Sequence, residues 1–232
     1  MRVAIVGYGR MGRAIAALAP ARGHEIALVV DEAENPDGHA LTRERLAGID
    51  AAIEFTTPTA APINLARLVQ AGIPTVCGTT GWGAELPRVT AMVRERRGAL
   101  VHAPNFSVGV QVFLRAAGEL ARRFAGLRDF DGFIVEEHHA KKLDAPSGTA
   151  HTLRERLRAA DPAREFPITS IRAGAIPGIH TLTYDGPHET VSLTHNARSR
   201  DGFALGALLA AEWLPGRTGV FTFEDVLFGE DR

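Results

Sequence analysis

Arg2-Val3-Ala4-Ile5-Val6-Gly7-Tyr8-Gly9-Arg10-Met11-Gly12-Arg13-Ala14-Ile15 opens the chain, and its reading decides the fold. Val3 to Val6 is a short apolar run, and Gly7 to Gly12 match the pattern G-x-G-x-x-G. Met11, Ala14, Ile15 and Leu18 then recur at helical spacing. As a bare string the glycine pattern is a weak signal; a strand before it and a helix after it make it a dinucleotide-binding turn. Gly7 permits the sharp turn, Gly9 lets a pyrophosphate approach the backbone, and Gly12 lets helix and strand pack closely. Unpaired N–H groups and the positive end of the helix hold the phosphates. A second apolar run, Ile26 to Val30, ends in Asp31, about 20 residues beyond the glycines, where a carboxylate accepts hydrogen bonds from ribose hydroxyls.

Downstream the alternation continues. Ala51 to Phe55, Pro74 to Cys77 and Ala99 to His102 read as strands, separated by helices over Ala60 to Ala71 and Ala84 to Arg97. Strands alternating with helices make a parallel, doubly wound sheet with right-handed crossovers. Two strand ends, Phe55-Thr56-Thr57 and Gly78-Thr79-Thr80, fall where such a sheet presents its ligand crevice, and their hydroxyls and amides suit a nicotinamide ribose and carboxamide. Ala103-Pro104-Asn105-Phe106, at the junction of the two halves, borders the nicotinamide, whereas His102 reads as structural. Asp31 repels a 2′-phosphate, and Glu32 and Glu34 follow it with no basic residue close by, so NADH is the preferred cofactor. Arg10, Arg43 and Arg45 are the residues that, folded back, would admit NADPH as the alternative.

After Phe106 the pattern changes. Ser107 to Phe124 reads as one long helix closed by Gly126, then Phe133 to Glu137 as a strand and a helix from Ser147. Ile168 to Arg172, His180 to Tyr184 and Thr190 to His195 alternate apolar and polar residues and are joined by Gly/Pro turns, as antiparallel strands are. Phe203 to Leu214 is a last helix and Val220 to Phe223 a last strand. The fold class is therefore α/β: a Rossmann-type parallel sheet with a second, smaller α+β domain on a mostly antiparallel sheet. The dinucleotide domain takes residues 1–106 plus 201–232, and the substrate-binding and oligomerisation domain takes 107–200.

Composition sets outer limits. The 232 residues are 45% hydrophobic and 23% charged, enough apolar material for a real core. The net charge of −1 lacks the positive excess of a nucleic-acid or anionic-membrane binder, and no apolar run reaches the length of a membrane span. Cys77 is the single cysteine, and the chain enters a strand at once with no room for a signal peptide, so a cytoplasmic location is expected.

Of the 26 basic residues only two are lysines, the adjacent Lys141 and Lys142. An isolated pair in an otherwise arginine-only protein marks a place that needs an amine able to release a proton, which arginine cannot do. The surrounding segment is Glu136-Glu137-His138-His139-Ala140-Lys141-Lys142-Leu143-Asp144-Ala145-Pro146-Ser147-Gly148-Thr149-Ala150. His138 and Lys142 bracket a short loop and face one cleft, and the helix start at Ser147-Gly148-Thr149 suits a carboxylate. No metal is expected: adjacent histidines on a strand point to opposite faces, and no further His/Cys/Asp spacing completes a set.

This segment resembles the signature of the 4-hydroxy-tetrahydrodipicolinate reductase (dihydrodipicolinate reductase) family, E-x-H-H-x-x-K-x-D-x-P-S-G-T-A, at every fixed position. The likeness extends through Gly7 to Gly12, Gly78-Thr79-Thr80-Gly81, Asn105-Phe106-Ser107-Val108-Gly109, Arg172-Ala173-Gly174, Gly178-Ile179-His180 and His195 to Arg200. It implies a reductase of lysine and diaminopimelate biosynthesis that transfers hydride from NAD(P)H to a small cyclic dicarboxylate. By position it implies His138 as general acid/base, Lys142 as proton donor, His139 on the substrate, and Gly148 with Thr149 on a substrate carboxylate. Cofactor contacts map to Gly7, Tyr8, Gly9, Arg10, Met11, Gly12, Asp31, Gly78, Thr79, Thr80, Ala103, Pro104, Asn105 and Phe106. A homotetramer built through the second sheet is also implied. The positive charge of His138 and Lys142 is expected to attract the dianionic substrate.

Three departures stand out: a short stretch from Asp31 to Ala51, no basic residue directly after the ribose-binding acid, and Asn196 where the family pattern has lysine. Two other readings share the fold, a reductase of a different small carboxylate and a protein that binds NAD without turnover. The presence of both His138 and Lys142 speaks against the second.

Overall fold

The computed structural model describes residues 1–229; residues 230–232, which the sequence reading assigns to the dinucleotide domain, lie outside the described residues. The chain divides into two compact units, Met1–Val108 with Arg200–Arg232, and Gly109–Ser199.

The first unit holds strands β1 (Arg2–Val6), β2 (Glu25–Val30), β3 (Ala51–Glu54), β4 (Thr75–Cys77) and β5 (Ala99–His102), with helices α1 (Arg10–Leu18), α2 (Ala61–Gln70) and α3 (Leu86–Glu95) between them. The chain then leaves along α4 (Val108–Phe124), makes the second unit, and returns as α6 (Asp201–Trp213), β10 (Gly219–Thr222) and α7 (Phe223–Phe228). The six strands are all parallel in the order β10-β5-β4-β3-β1-β2, with β10 completing the sheet against β5. Val3, Ala4, Ile5 and Val6 are all buried, as a central parallel strand covered on both faces must be. Burial of each Val or Ile there stabilises by about 1.5–3 kcal/mol. Helix α6 is packed so closely that a Cβ at Gly206 would lie 1.7 Å from the Phe106 carbonyl oxygen. The short stretch after Asp31 forms only single turns at Glu32–Glu34 and Pro36–Gly38, yet it buries Leu41 and Leu46.

The second unit carries β6 (Asp131–His138), α5 (Gly148–Ala160), β7 (Ile168–Arg172), β8 (Ile179–Asp185) and β9 (Thr190–Asn196), in a sheet of order β7-β6-β8-β9. β6 with β8 and β8 with β9 are antiparallel, but β7 runs parallel to β6. This corrects the reading of all three late runs as antiparallel. Alternation carries no direction, and the intervening α5 makes β6-α5-β7 a crossover, which returns a strand parallel. The register puts two rows on one face. Ile134 stands between Ile168 and Leu182, with Leu193 beyond; two residues along, Glu136 stands between Ser170 and His180, with His195 beyond. The first row joins Phe166, Tyr184 and Leu153 in the apolar core. The face turns polar within one step of the pleat, and that boundary locates the site. Among the described residues, no helix is long and apolar enough to cross a membrane.

Candidate active site

In the first unit the glycine turn follows β1 directly. Gly7 has φ +94°, and a Cβ there would lie 2.1 Å from the Phe55 carbonyl oxygen, so only glycine fits. A Cβ at Gly12 would lie 2.1 Å from the Gly7 carbonyl oxygen, the close helix–strand contact that the sequence pattern predicts. A Cβ at Gly9 would meet nothing within 4 Å, and Gly9 caps α1 with no side-chain hydrogen bond. The helix N-terminus is therefore open to an anion, and the turn fits a pyrophosphate. Asp31 lies beside it: its Oδ1 accepts from the backbone N–H of Glu32 at 2.9 Å and of Tyr8 at 3.2 Å. These backbone donors, Glu32 first, hold the exposed Asp31 carboxyl below its ordinary value, with a smaller contribution from the charge of Arg13.

Gly7, Tyr8, Gly9 and Asp31 line one groove together with Thr56 and Asn64. Thr79, Thr80, Ala103 and Pro104 line a second, with Trp82 and His102. Gly78 is there for packing, since a Cβ would run into the Phe55 ring. The Phe106 ring is buried against Phe55 and Phe223, which leaves its backbone as the part that can border a cofactor. The Asn105 side chain accepts from the Ser107 N–H at 2.7 Å. The half-buried His102 ring stands edge-on to Trp82, and burial lowers its pKa. The expectation of no basic residue near Asp31 is also corrected. Arg13 donates to the Tyr8 carbonyl at 3.1 Å and stands over the Tyr8 ring, because one turn of α1 returns it to the glycine loop. Arg45, one of the arginines expected to fold back, pairs instead with Glu34 at 3.4 Å.

In the second unit, Glu136 and His138 are two residues apart on β6 and share its inward face. Glu136 is fully buried; its Oε2 is 2.5 Å from His138 Nδ1 and its Oε1 accepts from Arg172 Nη2 at 2.6 Å. The same Arg172 nitrogen donates to the Asp144 carbonyl at 2.6 Å. Lys142 Nζ holds both oxygens of the Asp144 carboxylate, at 2.7 and 2.9 Å. Ser147 caps α5 by accepting from the Ala150 N–H, and its hydroxyl lies 3.1 Å from His180 Nε2. A Cβ at Gly148 would meet nothing, which leaves the N-terminus of α5 open. Gly178 closes the other side: a Cβ there would lie 3.1 Å from His138 Nε2. The side chain of His139 has a buried Nδ1 with no partner.

Burial alone would raise the Glu136 carboxyl, but hydrogen bonds from Arg172 and Ser170 and the charges of His138 and Arg172 bring it down to about 2. His138 is lowered from its ordinary value, by burial first and then by the charges of Lys142 and Arg172, against the opposing pull of Glu136. His180 falls to about 4, chiefly through burial and then the charge of His138. The Glu136 carboxylate facing Nδ1 favours the tautomer with its proton there, which leaves the Nε2 lone pair open.

Sequence reasoning missed Arg172 and His180 as parts of the site. Their distance along the chain hides them, and the signal was the register of β7 and β8 against β6. Pairing also overturns the spacing argument about metals, because Glu136, His138 and His180 each present a possible ligand atom within 4.8 Å of one another. All three have protein partners: His138 and the Arg172 guanidinium sit on Glu136, and His180 faces the Ser147 hydroxyl.

Comparison with known proteins adds to this geometry. The family model described as dihydrodipicolinate reductase, N-terminus, matches residues 1–106, and that described as dihydrodipicolinate reductase, C-terminus, matches residues 109–227. The chain is 40% identical over 239 aligned positions to the 4-hydroxy-tetrahydrodipicolinate reductase of Christiangramia forsetii, covering 98% of both chains. It is 34% identical to that of Archaeoglobus fulgidus, over 98% of this chain and all of the other. Among solved structures, the dipicolinate-bound dihydrodipicolinate reductase from Paenisporosarcina sp. TG-14 superposes with a TM-score of 0.82 at 23% identity, covering 96% of this chain and 97% of the other.

Proposed function

The chain belongs to the dihydrodipicolinate reductase family, a NAD(P)H-dependent 4-hydroxy-tetrahydrodipicolinate reductase of lysine and diaminopimelate biosynthesis, and from that premise we propose how its residues divide the work. The observation that carries the proposal is the buried Glu136 between His138 and Arg172, with Lys142 on the loop that follows.

NAD(P)H supplies the hydride. Loss of the substrate's hydroxyl as water gives a conjugated imine, and adding the hydride to that imine leaves carbanion character that a proton must quench. Lys142 donates that proton, its Nζ aimed by hydrogen bonds to both oxygens of the Asp144 carboxylate. His138 is the general acid and base. Glu136 fixes its Nδ1–H, so Nε2 is the atom that takes and returns a proton. His139 contacts the substrate, and the N–H groups of Gly148 and Thr149 at the open start of α5 bind one carboxylate. Arg172 and Lys142 draw in a dianion. Substitution of His138 by Gln or Lys142 by Ala is expected to lower kcat by about 100-fold or more. Near-wild-type turnover of both variants would remove these assignments.

Gly7 to Gly12 receive the pyrophosphate and Asp31 the adenosine ribose, with NADH preferred and NADPH as the alternative. Thr79, Thr80, Ala103, Pro104 and the backbone around Asn105 border the nicotinamide half. The outer face of β8 and β9, with hydroxyl pairs Thr181–Thr194 at 3.0 Å and Thr183–Ser192 at 3.1 Å, builds a homotetramer. The protein works in the cytoplasm, with neither nucleic acid nor membrane as partner; its one cysteine, Cys77, is buried and unpaired.

A further inference from the structure

Strand β3 ends in a residue that the reaction does not use. Ala51, Ala52 and Ile53 are buried apolar residues, and Glu54, which follows them, is equally inaccessible. Its Oε1 accepts the hydroxyl of Thr56, and its Oε2 accepts the Cys77 thiol of β4 at 3.1 Å. Thr79 and Asn64 also hydrogen-bond to it. None of these partners is a cation. A carboxyl buried without one is costly to ionise, and burial pushes its pKa up against the opposing pull of these hydrogen bonds.

The partners are the two turns at the end of the sheet. The Thr56 N–H donates to Thr79 Oγ1 at 2.7 Å, so Thr79, buried itself, spends its hydroxyl inside the protein. Asn64 reaches Thr56 Oγ1 at 3.4 Å and is held in turn by Asn35 at 2.9 Å. Thr56 and Asn64 line the groove of the glycine turn, and Thr79 lines its neighbour. Gly7 and Gly78 both lie against Phe55, so a shift of this turn reaches the glycine loop and the Thr79 turn together.

We propose that Glu54 is a positioning residue for the cofactor, an internal acid that ties the Thr56 turn to the Thr79 turn and so fixes the floor of the nucleotide crevice. It touches no ligand. The inference rests on the reading of the first unit as the dinucleotide site.

The test is NADH binding to the full-length protein by fluorescence titration, together with NADH KM and kcat, for wild type, Glu54→Gln, Glu54→Asp and Glu54→Ala. Gln keeps the reach and the neutral hydrogen bonds, whereas Asp keeps the acid but loses the reach. Glu54→Ala and Glu54→Asp are expected to bind NADH about 10-fold more weakly, with Glu54→Gln restored to within about threefold of wild type. The loss is expected in KM, with kcat at saturating NADH changing by less than about threefold. If Glu54→Ala does not fold, the order of Gln over Asp decides. NADH affinity unchanged in Glu54→Asp, or better in it than in Glu54→Gln, would overturn the inference. Failure of the wild type itself to bind NADH would overturn the cofactor reading beneath it.

Discussion

Replacing Glu136 by Gln tests the proton network with an almost isosteric change. In the native site both carboxylate oxygens accept, one from Arg172 at 2.6 Å and one opposite His138 Nδ1 at 2.5 Å. A Gln side chain has one acceptor. If its oxygen turns to Arg172, its NH2 faces Nδ1 and forces the His138 proton onto Nε2, the atom that has to accept one. If its oxygen turns to His138, the NH2 opposes the Arg172 guanidinium. Either way a charge-assisted hydrogen bond of about 1.5–3 kcal/mol is lost, which corresponds to a fall in kcat/KM of about 10- to 150-fold. Loss of the negative charge also lowers the His138 pKa further, since Glu136 is what holds it up. A structural loss of about 2 kcal/mol accompanies this and lowers Tm by about 4–8 °C. Steady-state kinetics from pH 6 to 9, with thermal melts and NADH titration alongside, separate these effects. NADH affinity is expected to be unchanged. A variant with kcat/KM within about threefold of wild type and an unchanged Tm would refute the role given to Glu136.

Two further outcomes follow from the same geometry. Catalytic efficiency with NADH is expected to exceed that with NADPH, and Asp31→Ser, which removes the repelling carboxylate and leaves Arg13 beside the ribose site, is expected to raise the NADPH-to-NADH ratio by about 10-fold; an unchanged ratio would exclude Asp31 as the determinant. Stability is expected to fall on acidification in two steps. His180 has a folded pKa of about 4 against 6.5, so the unfolded chain takes up its proton first, and about 3 kcal/mol is lost as the pH falls from 6.5 to 4. Glu136, at about 2 against 4.5, adds a second loss of about 3 kcal/mol as the pH falls from 4.5 to 2. Urea unfolding at pH 7 and 4, with His180→Gln flattening the first step, checks this; equal stability of the wild type at both values would contradict it.

The parallel sheet is legible because each of its parts has a local signal: Gly7 to Gly12 after an apolar strand, Asp31 at the end of the next, and breakers such as Gly72 and Gly98 after the helices. The direction of β7 is not legible, because alternation is the same for a parallel and an antiparallel strand. Nor is α7 (Phe223–Phe228), a six-residue helix opened by a capping box between Thr222 and Asp225, too short for a periodic pattern. In the site, His138 and Lys142 stand out through residue type and local spacing, and the structure puts them on one strand end and its loop. Arg172, His180 and Glu54 do not stand out. The first two reach the site through register with β6, and Glu54 looks like an ordinary polar strand end until its burial is known. The burial of the Phe106 ring is not legible either, since a junction segment carries no periodic pattern that assigns its side chains to the core.

The most direct test of the central claim is to follow NADH and NADPH oxidation in parallel, with the unstable substrate generated in situ from pyruvate and aspartate semialdehyde by its synthase. The account predicts rapid oxidation that depends on both precursors and is faster with NADH. Binding of NADH without oxidation of either cofactor would contradict the assigned reaction while leaving the dinucleotide unit as described.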